Sequence, residues 1–267
     1  MNDRVSISIT GGVADVRLIR VDKMNAFDDA MFAAIIEAGE TLAATPGLRA
    51  VVISGEGRAF CAGLDMGKFG QMASGERGSG AALVTDKRTA GGANHAQQVA
   101  MLWRELGVPV IAAVHGVAFG AGFQLALGAD LRFATADARF SAMEINWGLV
   151  PDMAGIALLR GLVRDDVARD IVYTGRVVTG SEGAEIGLVT RICADPHAEA
   201  MAYAIEVASR NPDAMRAAKR LLNLAVDGTQ AEILLAESEE QVRLIGSPNQ
   251  IESVTSRMAK RAGQFRD

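Results

Sequence analysis

Most residue patterns that announce a chemistry are missing from this chain of 267 residues, and what remains defines the candidates. Gly120-Ala-Gly122 is followed by Leu125 where a dinucleotide fingerprint would place its third glycine, and no Gly-Lys-Ser/Thr phosphate loop occurs. His95, His115 and His197 lack the spacing of a metal site and read as structural or surface residues. No Gly-x-Ser-x-Gly nucleophile turn is present, and Cys61 and Cys193 stand far apart without metal or redox spacing. Carboxylates and backbone donors are left. In Val108 to Pro151, an apolar β-branched run stops at the glycines of Gly116-Val-Ala-Phe-Gly-Ala-Gly122 and restarts as Phe123, Leu125, Ala126 and Leu127. That is the pattern of a buried strand, a tight turn and a helix start, which gathers backbone N–H groups near Ala121. The first N–H groups of a helix have no intrahelical partner and suit an oxygen that gains charge during a reaction. A turn that only needs small residues would leave the same trace. Glu144 and Asp152 follow eight residues apart, and Pro151-Asp152 ahead of Ala154-Gly155 also fits a helix cap.

The elements that must position these groups can be read in chain order. Val5-Ser-Ile-Ser-Ile9 and Val13-Ala-Asp-Val-Arg-Leu-Ile19 alternate around Gly11-Gly12, the pattern of a hairpin with one buried face. Arg20-Val-Asp-Lys-Met-Asn25 is a polar loop, and Asn25 is placed to cap a helix with Met31, Ile35, Ile36 and Leu42 on one side. Arg49 to Ser54 reads as a short buried strand, followed by the turn Gly55-Glu-Gly57 and the loop Ala59-Phe-Cys-Ala-Gly-Leu-Asp-Met66. Residues 70 to 94 turn to Gly, Ser, Thr and Ala with mixed charge, and a stretch of that kind beside a glycine loop is expected to serve as a lid. Val99 to Leu106 is expected to be helical and Val108 to Val114 a strand. Leu131 to Thr135 and Ala138 to Ala142 are expected strands, Met153 to Leu162, Val167 to Tyr173 and Ser181 to Ile186 helices, and Leu188 to Cys193 a strand. From His197 onward only helix is expected, broken at Asn211-Pro212 and Gly246-Ser-Pro248. A mixed α/β core followed by a helical region results, divided at 1–196 and 197–267.

Composition excludes several classes. At 49% hydrophobic and 22% charged the chain has the means to bury a core, and a net charge of -5 with dispersed Lys and Arg gives no surface for nucleic acid or an anionic membrane. Leu106 to Ala129 carries no Asp, Glu, Lys or Arg, yet Pro109, His115, Gln124 and its glycines break it before it could span a bilayer. The first residues lack the apolar core of a signal peptide, and two unpaired cysteines fit a reducing compartment, so the expectation is a cytoplasmic protein.

Several blocks together resemble the crotonase (enoyl-CoA hydratase/isomerase) superfamily. They are Phe60-Cys-Ala-Gly-Leu-Asp65, Val110-Ile-Ala-Ala-Val-His-Gly116, Ala118-Phe-Gly-Ala-Gly-Phe-Gln-Leu125, Ala129-Asp-Leu-Arg132, Phe140-Ser-Ala-Met-Glu144 and Gly148-Leu-Val-Pro151. Arg20 to Ala26 is similar to the family's CoA-binding loop, and Thr174-Gly-Arg176 through Gly187-Leu-Val189 to its later block. The resemblance implies an α/β crotonase-like spiral of repeated β-β-α units and a C-terminal helical region used in a homotrimer or a dimer of trimers. It implies an acyl-CoA thioester as substrate, no cofactor beyond its CoA moiety, and no metal. The backbone N–H groups matching Leu64 and Ala121 would hold the thioester oxygen as it becomes an enolate oxygen. Losing one such donor costs on the order of 3 kcal/mol of transition-state stabilisation.

The proton chemistry is where this chain departs from the family pattern it resembles. The family's hydratases carry two glutamates; the second matches Glu144, but the first matches Gln124, whose amide can hold a water or orient substrate and cannot accept a proton at neutral pH. Asp152 matches an aspartate of the family's dienoyl-CoA isomerases and also the attacking aspartate of its aroyl-CoA dehalogenases. The favoured expectation is double-bond migration, with Glu144 and Asp152 moving protons on either side of an enolate. Hydration through Glu144 and a water held by Gln124, a carboxylate-nucleophile hydrolase or dehalogenase, and a CoA binder without turnover stay open. For CoA, the resemblance points to Lys23, Met24, Ala62 and Asp65, with Phe265 and Arg266 reaching it from a neighbouring region or subunit. Asp65 also reads as a residue that fixes its own turn.

Overall fold

Turn chemistry at the N-terminus folds as the sequence dictates, whereas the alternation of the first strand does not bury a face: Val5 is buried, but Ile7 and Ile9 are 37% and 44% exposed at the sheet edge. In the computed structural model, which describes residues 3–74, 82–85 and 87–267, strands β1 (Val5–Thr10) and β2 (Val13–Leu18) pair antiparallel from Val5 opposite Leu18 to Thr10 opposite Val13. Gly11 and Gly12 both have positive φ, 58° and 80°, as a two-residue hairpin turn of this hand requires. Helix α1 (Asp29–Ala43) buries Met31, Ala34, Ile35, Ala38 and Leu42, one stripe at helical spacing. Its cap differs from expectation: Asp28 accepts the Met31 N–H at 2.8 Å, while Asn25 lies four residues before the helix begins, in the left-handed region with φ 56°. Both residue types cap well and stand three apart, and buried Ala26 and Phe27 between them belong to a loop rather than to a first turn.

Strand β3 (Ala50–Gly55) follows, then helices α2 (Met66–Ala73), α3 (Ala82–Thr85) and α4 (His95–Glu105). The lid expected over 70–94 lies partly outside the described residues. Directly after it α4 starts four residues earlier than hydrophobic periodicity suggests, because Asn94 and Gln97 form a reciprocal capping box. The uncharged stretch 106–129 is split into β4 (Val110–Val114), β5 (Val117–Phe119) and α5 (Ala121–Gly128), and among the described residues no helix is long and apolar enough to cross a membrane. Next come β6 (Leu131–Ala134), β7 (Arg139–Ser141), α6 (Gly155–Leu159), α7 (Asp165–Thr174), β8 (Val178–Thr179), α8 (Gly180–Glu185) and β9 (Arg191–Ile192). The chain continues with α9 (Pro196–Ala208), α10 (Pro212–Leu224), α11 (Gln230–Leu244) and α12 (Pro248–Met258).

Two sheets share the successive turns of the chain. The larger has the order β1-β2-β3-β4-β6-β9, parallel from β2 onward, and the smaller has the order β5-β7-β8, with β5 and β7 parallel. A parallel bridge from Cys61 to Ala118 adds the loop after β3 as a further rung beside β5. Each turn thus gives one rung to each sheet and then a helix, as in the turns β3, Cys61, α4 and β4, β5, α5. This is the α/β spiral of β-β-α units that the resemblance implied. The central strands β3 and β4 of the larger sheet are buried on both faces, as parallel strands covered by helices are. Val51, Ile53, Val110, Ala112 and Val114 join the core formed with α1, α4 and α5. Val13, Ala50, Val52, Ile111, Ala113 and Phe133 face Ala200, Ala204 and Ala208, the small-residue stripe of α9. The first helix after residue 196 therefore closes the core sheet, while α10 to α12 extend beyond it.

Candidate active site

The loops that follow β3 and β4 are pinned to each other by their backbones. Phe60 N–H donates to His115 O at 2.9 Å, Cys61 N–H to Val117 O at 2.9 Å, and Phe119 N–H to Cys61 O at 3.0 Å. Only small residues fit where they meet. A Cβ on Gly63, where φ is 97°, would stand 2.8 Å from Phe119 O and 3.9 Å from the Ala121 nitrogen, and one on Gly122 would stand 2.5 Å from Cys61 O. The backbone beside Leu64 thus lies against the first turn of α5. Neither the Leu64 nor the Ala121 N–H has an acceptor among the described residues. Buried Cys61 supports the loop from below: its thiol donates to Asn25 O at 3.1 Å, and burial pushes its pKa up to about 12, so it stays a thiol.

Glu144 sits in a 3-10 turn, Met143–Trp147, just past β7. Its Oε1 accepts the Gln124 Nε2–H at 2.7 Å, and a Cβ on Gly120 would lie 3.3 Å from the same oxygen, so the carboxyl stands against the start of α5. Gln124 is 1% exposed and its amide orientation is fixed, because Oε1 accepts both Met153 N–H at 2.7 Å and Gly155 N–H at 3.0 Å. Those two bonds hold the turn containing Asp152. The helix-cap reading of Asp152 is replaced: the N-cap of α6 is Ala154, with φ 69° and no side-chain cap, and Gln124 supplies the acceptor instead. Burial pushes the Glu144 carboxyl above the usual carboxylate range. Its own backbone N–H and the Gln124 amide oppose the shift, and the Asp152 charge adds to it. Glu144 Oε2 is buried and has no hydrogen-bond partner among the described residues. A carboxyl held this way binds a proton more readily than a solvated glutamate and can take and return one beside two N–H groups able to stabilise a charged oxygen.

The loop expected to meet CoA is organised by residues whose role the sequence hid. Arg20 Nη1 donates to Asp65 Oδ2 at 2.7 Å and to Ala26 O at 2.9 Å, and its Nη2 lies 3.4 Å from Asp28. Asp65 also caps α2 through the Gly67 N–H, which together with Arg20 holds its carboxyl below the usual range. It does fix its own turn. Asn25, wholly buried, reaches Glu56 O, Ala59 O and Phe60 O through Nδ2, and Phe27 bridges to Leu64. Lys23 is exposed, Met24 turns left-handed with φ 48°, and Met24 O accepts the Ala62 N–H at 2.9 Å, so Lys23, Met24, Ala62 and Asp65 stand together. Phe265 and Arg266 do not join them. Arg49 Nη2 donates to Phe265 O, and Arg266 exchanges two hydrogen bonds with Asn249. That places the segment at the entry end of β3, roughly 20 Å of strand from the loop at its exit. Among the described residues no three His, Cys, Asp or Glu side chains cluster as metal ligands would.

Comparison with known proteins bears on the fold and the family. Residues 8–267 match the family described as enoyl-CoA hydratase/isomerase. A Mycobacterium leprae protein named "Probable enoyl-CoA hydratase echA8" is 32% identical over 260 residues, which is 95% of this chain and 94% of the relative. The mouse mitochondrial Delta(3,5)-Delta(2,4)-dienoyl-CoA isomerase is 27% identical over 263 residues, 96% of this chain and 80% of the relative. The crystal structure of an enoyl-CoA hydratase from Polaromonas sp. JS666 superposes with a TM-score of 0.87 at 29% identity, covering 98% of this chain and 99% of that one. The match over residues 8–267, the relatives' identity over nearly the whole chain and the shared fold show that the chain belongs to the enoyl-CoA hydratase/isomerase family of acyl-CoA enzymes.

Proposed function

We propose that this enzyme moves a double bond in an enoyl- or dienoyl-CoA through an enolate, with Glu144 and Asp152 as the two proton carriers. The observation that carries this reading is position 124. An amide, oriented by two backbone N–H groups, fills the place where a second ionisable carboxyl would have to stand for two-glutamate hydration. The thioester oxygen lies against the Leu64 and Ala121 N–H groups, which favour the negative charge that develops on it. The Asp152 charge is felt at Glu144, so the coupled pair carries one proton: Glu144 as the carboxylate removes a proton at one carbon, Asp152 in its protonated form delivers its own at another, and the proton on Glu144 passes back to Asp152 before the next turnover, with no water consumed. Lys23, Met24, Ala62 and Asp65 form the CoA contact, and Phe265 and Arg266 reach it from the adjacent subunit of a homotrimer. The mouse relative's name supports this reading. Hydration through Glu144 is the second reading, favoured by the hydratase names of the Mycobacterium leprae and Polaromonas proteins.

The two carriers are separated by position-resolved deuterium exchange into the acyl chain. Glu144→Gln and Asp152→Asn each keep the shape of their group and lose its proton, so each should lower turnover on the order of 10²- to 10⁴-fold. Asp152→Asn should leave the thermal midpoint nearly unchanged. Near-normal turnover in Asp152→Asn would leave Glu144 as the sole acid–base group.

A further inference from the structure

Gln124 holds two groups that face different steps of the reaction. Its Oε1 is saturated by the N–H groups of Met153 and Gly155, at 2.7 and 3.0 Å. This forces Nε2 toward Glu144, where it donates to Oε1 at 2.7 Å. The two oxygens of Glu144 are therefore not equivalent: Oε1 has a donor pointed at it and Oε2 is buried without a partner among the described residues. An oxygen that already receives an N–H is a poor place for a proton, since the two hydrogens would oppose each other. We propose that Gln124 is a positioning residue that fixes Glu144 as a one-sided acid–base group, with Oε1 always the acceptor and Oε2 always the atom that takes and returns the proton. Its meaning in the reaction rests on the proton-carrier reading above: the substrate C–H bond breaks, the proton bonds to Oε2, and the electron pair passes to the thioester oxygen. The fixed polarity itself belongs to the resting protein. Gly155 shows how closely the amide is fitted, since a Cβ there would stand 2.8 Å from both Gln124 Cγ and Oε1.

The charged surroundings of Glu144 are few. Asp152 is the facing carboxylate, and α5 carries no charged residue. On α7, which packs against the 143–147 turn, Asp165 and Tyr173 engage Arg169, Asp166 engages Arg164, and Asp170 engages Arg176. The test needs no turnover: infrared titration of the protonated carboxyl band in the full chain, with Glu144→Gln subtracted to assign it.

In Gln124→Met the carbonyl oxygen of protonated Glu144 loses its donor, so the band should move to higher frequency. The titration midpoint should also rise by about one pH unit, because the amide N–H favours the anion. Gln124→Glu keeps both acceptor positions for Met153 and Gly155, and there the two carboxyls should titrate as a coupled pair, the first proton to bind doing so above the wild-type midpoint and the second well below the first. An unmoved band and midpoint in folded Gln124→Met would overturn the proposal. If that variant does not fold, two independent titrations at ordinary glutamate values in Gln124→Glu would overturn it, while a coupled pair upholds it. Loss of activity with unchanged titration would point to the proposed reaction rather than to this device.

Discussion

At the scale of single residues, Glu144 stands out because its environment disfavours the charge its chemistry needs. Burial raises its pKa, so the folded protein binds its proton more tightly than the unfolded chain does. The stability linked to that proton is fully present below the unfolded value and is lost as pH rises through the raised folded value. Glu144→Gln should therefore raise the thermal midpoint at neutral pH, and the gain should vanish in acid; thermal scans of both proteins from pH 4 to pH 8 measure it. A gain equal at every pH would show that the carboxylate is not under this strain. Gln124 sits beside Glu144 with the opposite character, a neutral group whose hydrogen bonds join three segments. Its residue type was legible as a departure from a two-glutamate site. That its oxygen caps the 153–155 turn was not, because Met153 and Gly155 lie 29 and 31 residues away in sequence.

At the scale of elements, local signals gave the long helices and the hairpin, and distant pairing gave the rest. The Gly11-Gly12 turn and the stripe of α1 carry their own periodicity. Strands β5 and β8 were not visible, since three and two residues carry no period and are defined by pairing with distant chain, β5 with β7 and Cys61 and β8 with β7. The expected strand 188–193 contracts to Arg191–Ile192, and the expected helix 153–162 to Gly155–Leu159, because Met153 and Ala154 are bent away by Gln124 and a left-handed Ala154. The glycine loops were legible as turns, yet why they need glycine is a matter of contact across the two loops. Gly63→Ala should cost roughly 1–3 kcal/mol and far more in turnover, because a Cβ collides with Phe119 O in a backbone region that favours glycine. Unchanged stability and turnover in that variant would mean that the two loops do not meet closely.

At the scale of the whole molecule, the larger sheet is enclosed by α1, α4 and α5 on one face and α9 on the other, and α10 is fastened by a buried cation. Lys219 is 7% exposed and its Nζ contacts Trp103 O at 3.0 Å, Val108 O at 2.8 Å and Asp130 Oδ2 at 2.8 Å. Lys219→Ala should destabilise by roughly 3 kcal/mol, since it leaves buried carbonyls and Asp130 without their partner; urea unfolding measures the loss. Leu222, Val242, Ile245 and Met258 stand 65–81% exposed on and just beyond α10 to α12. Apolar surface of this kind fits the expected homotrimer or dimer of trimers, which sedimentation should show as a species of three or six chains. The central claim concerns the net reaction, and the mass of the product tests it most directly. A panel of enoyl- and dienoyl-CoA thioesters, incubated with the enzyme in heavy water and read by mass spectrometry, should give products that differ from substrate only by exchanged deuterium. Products heavier by one water, formed as fast as any isomer, would contradict it.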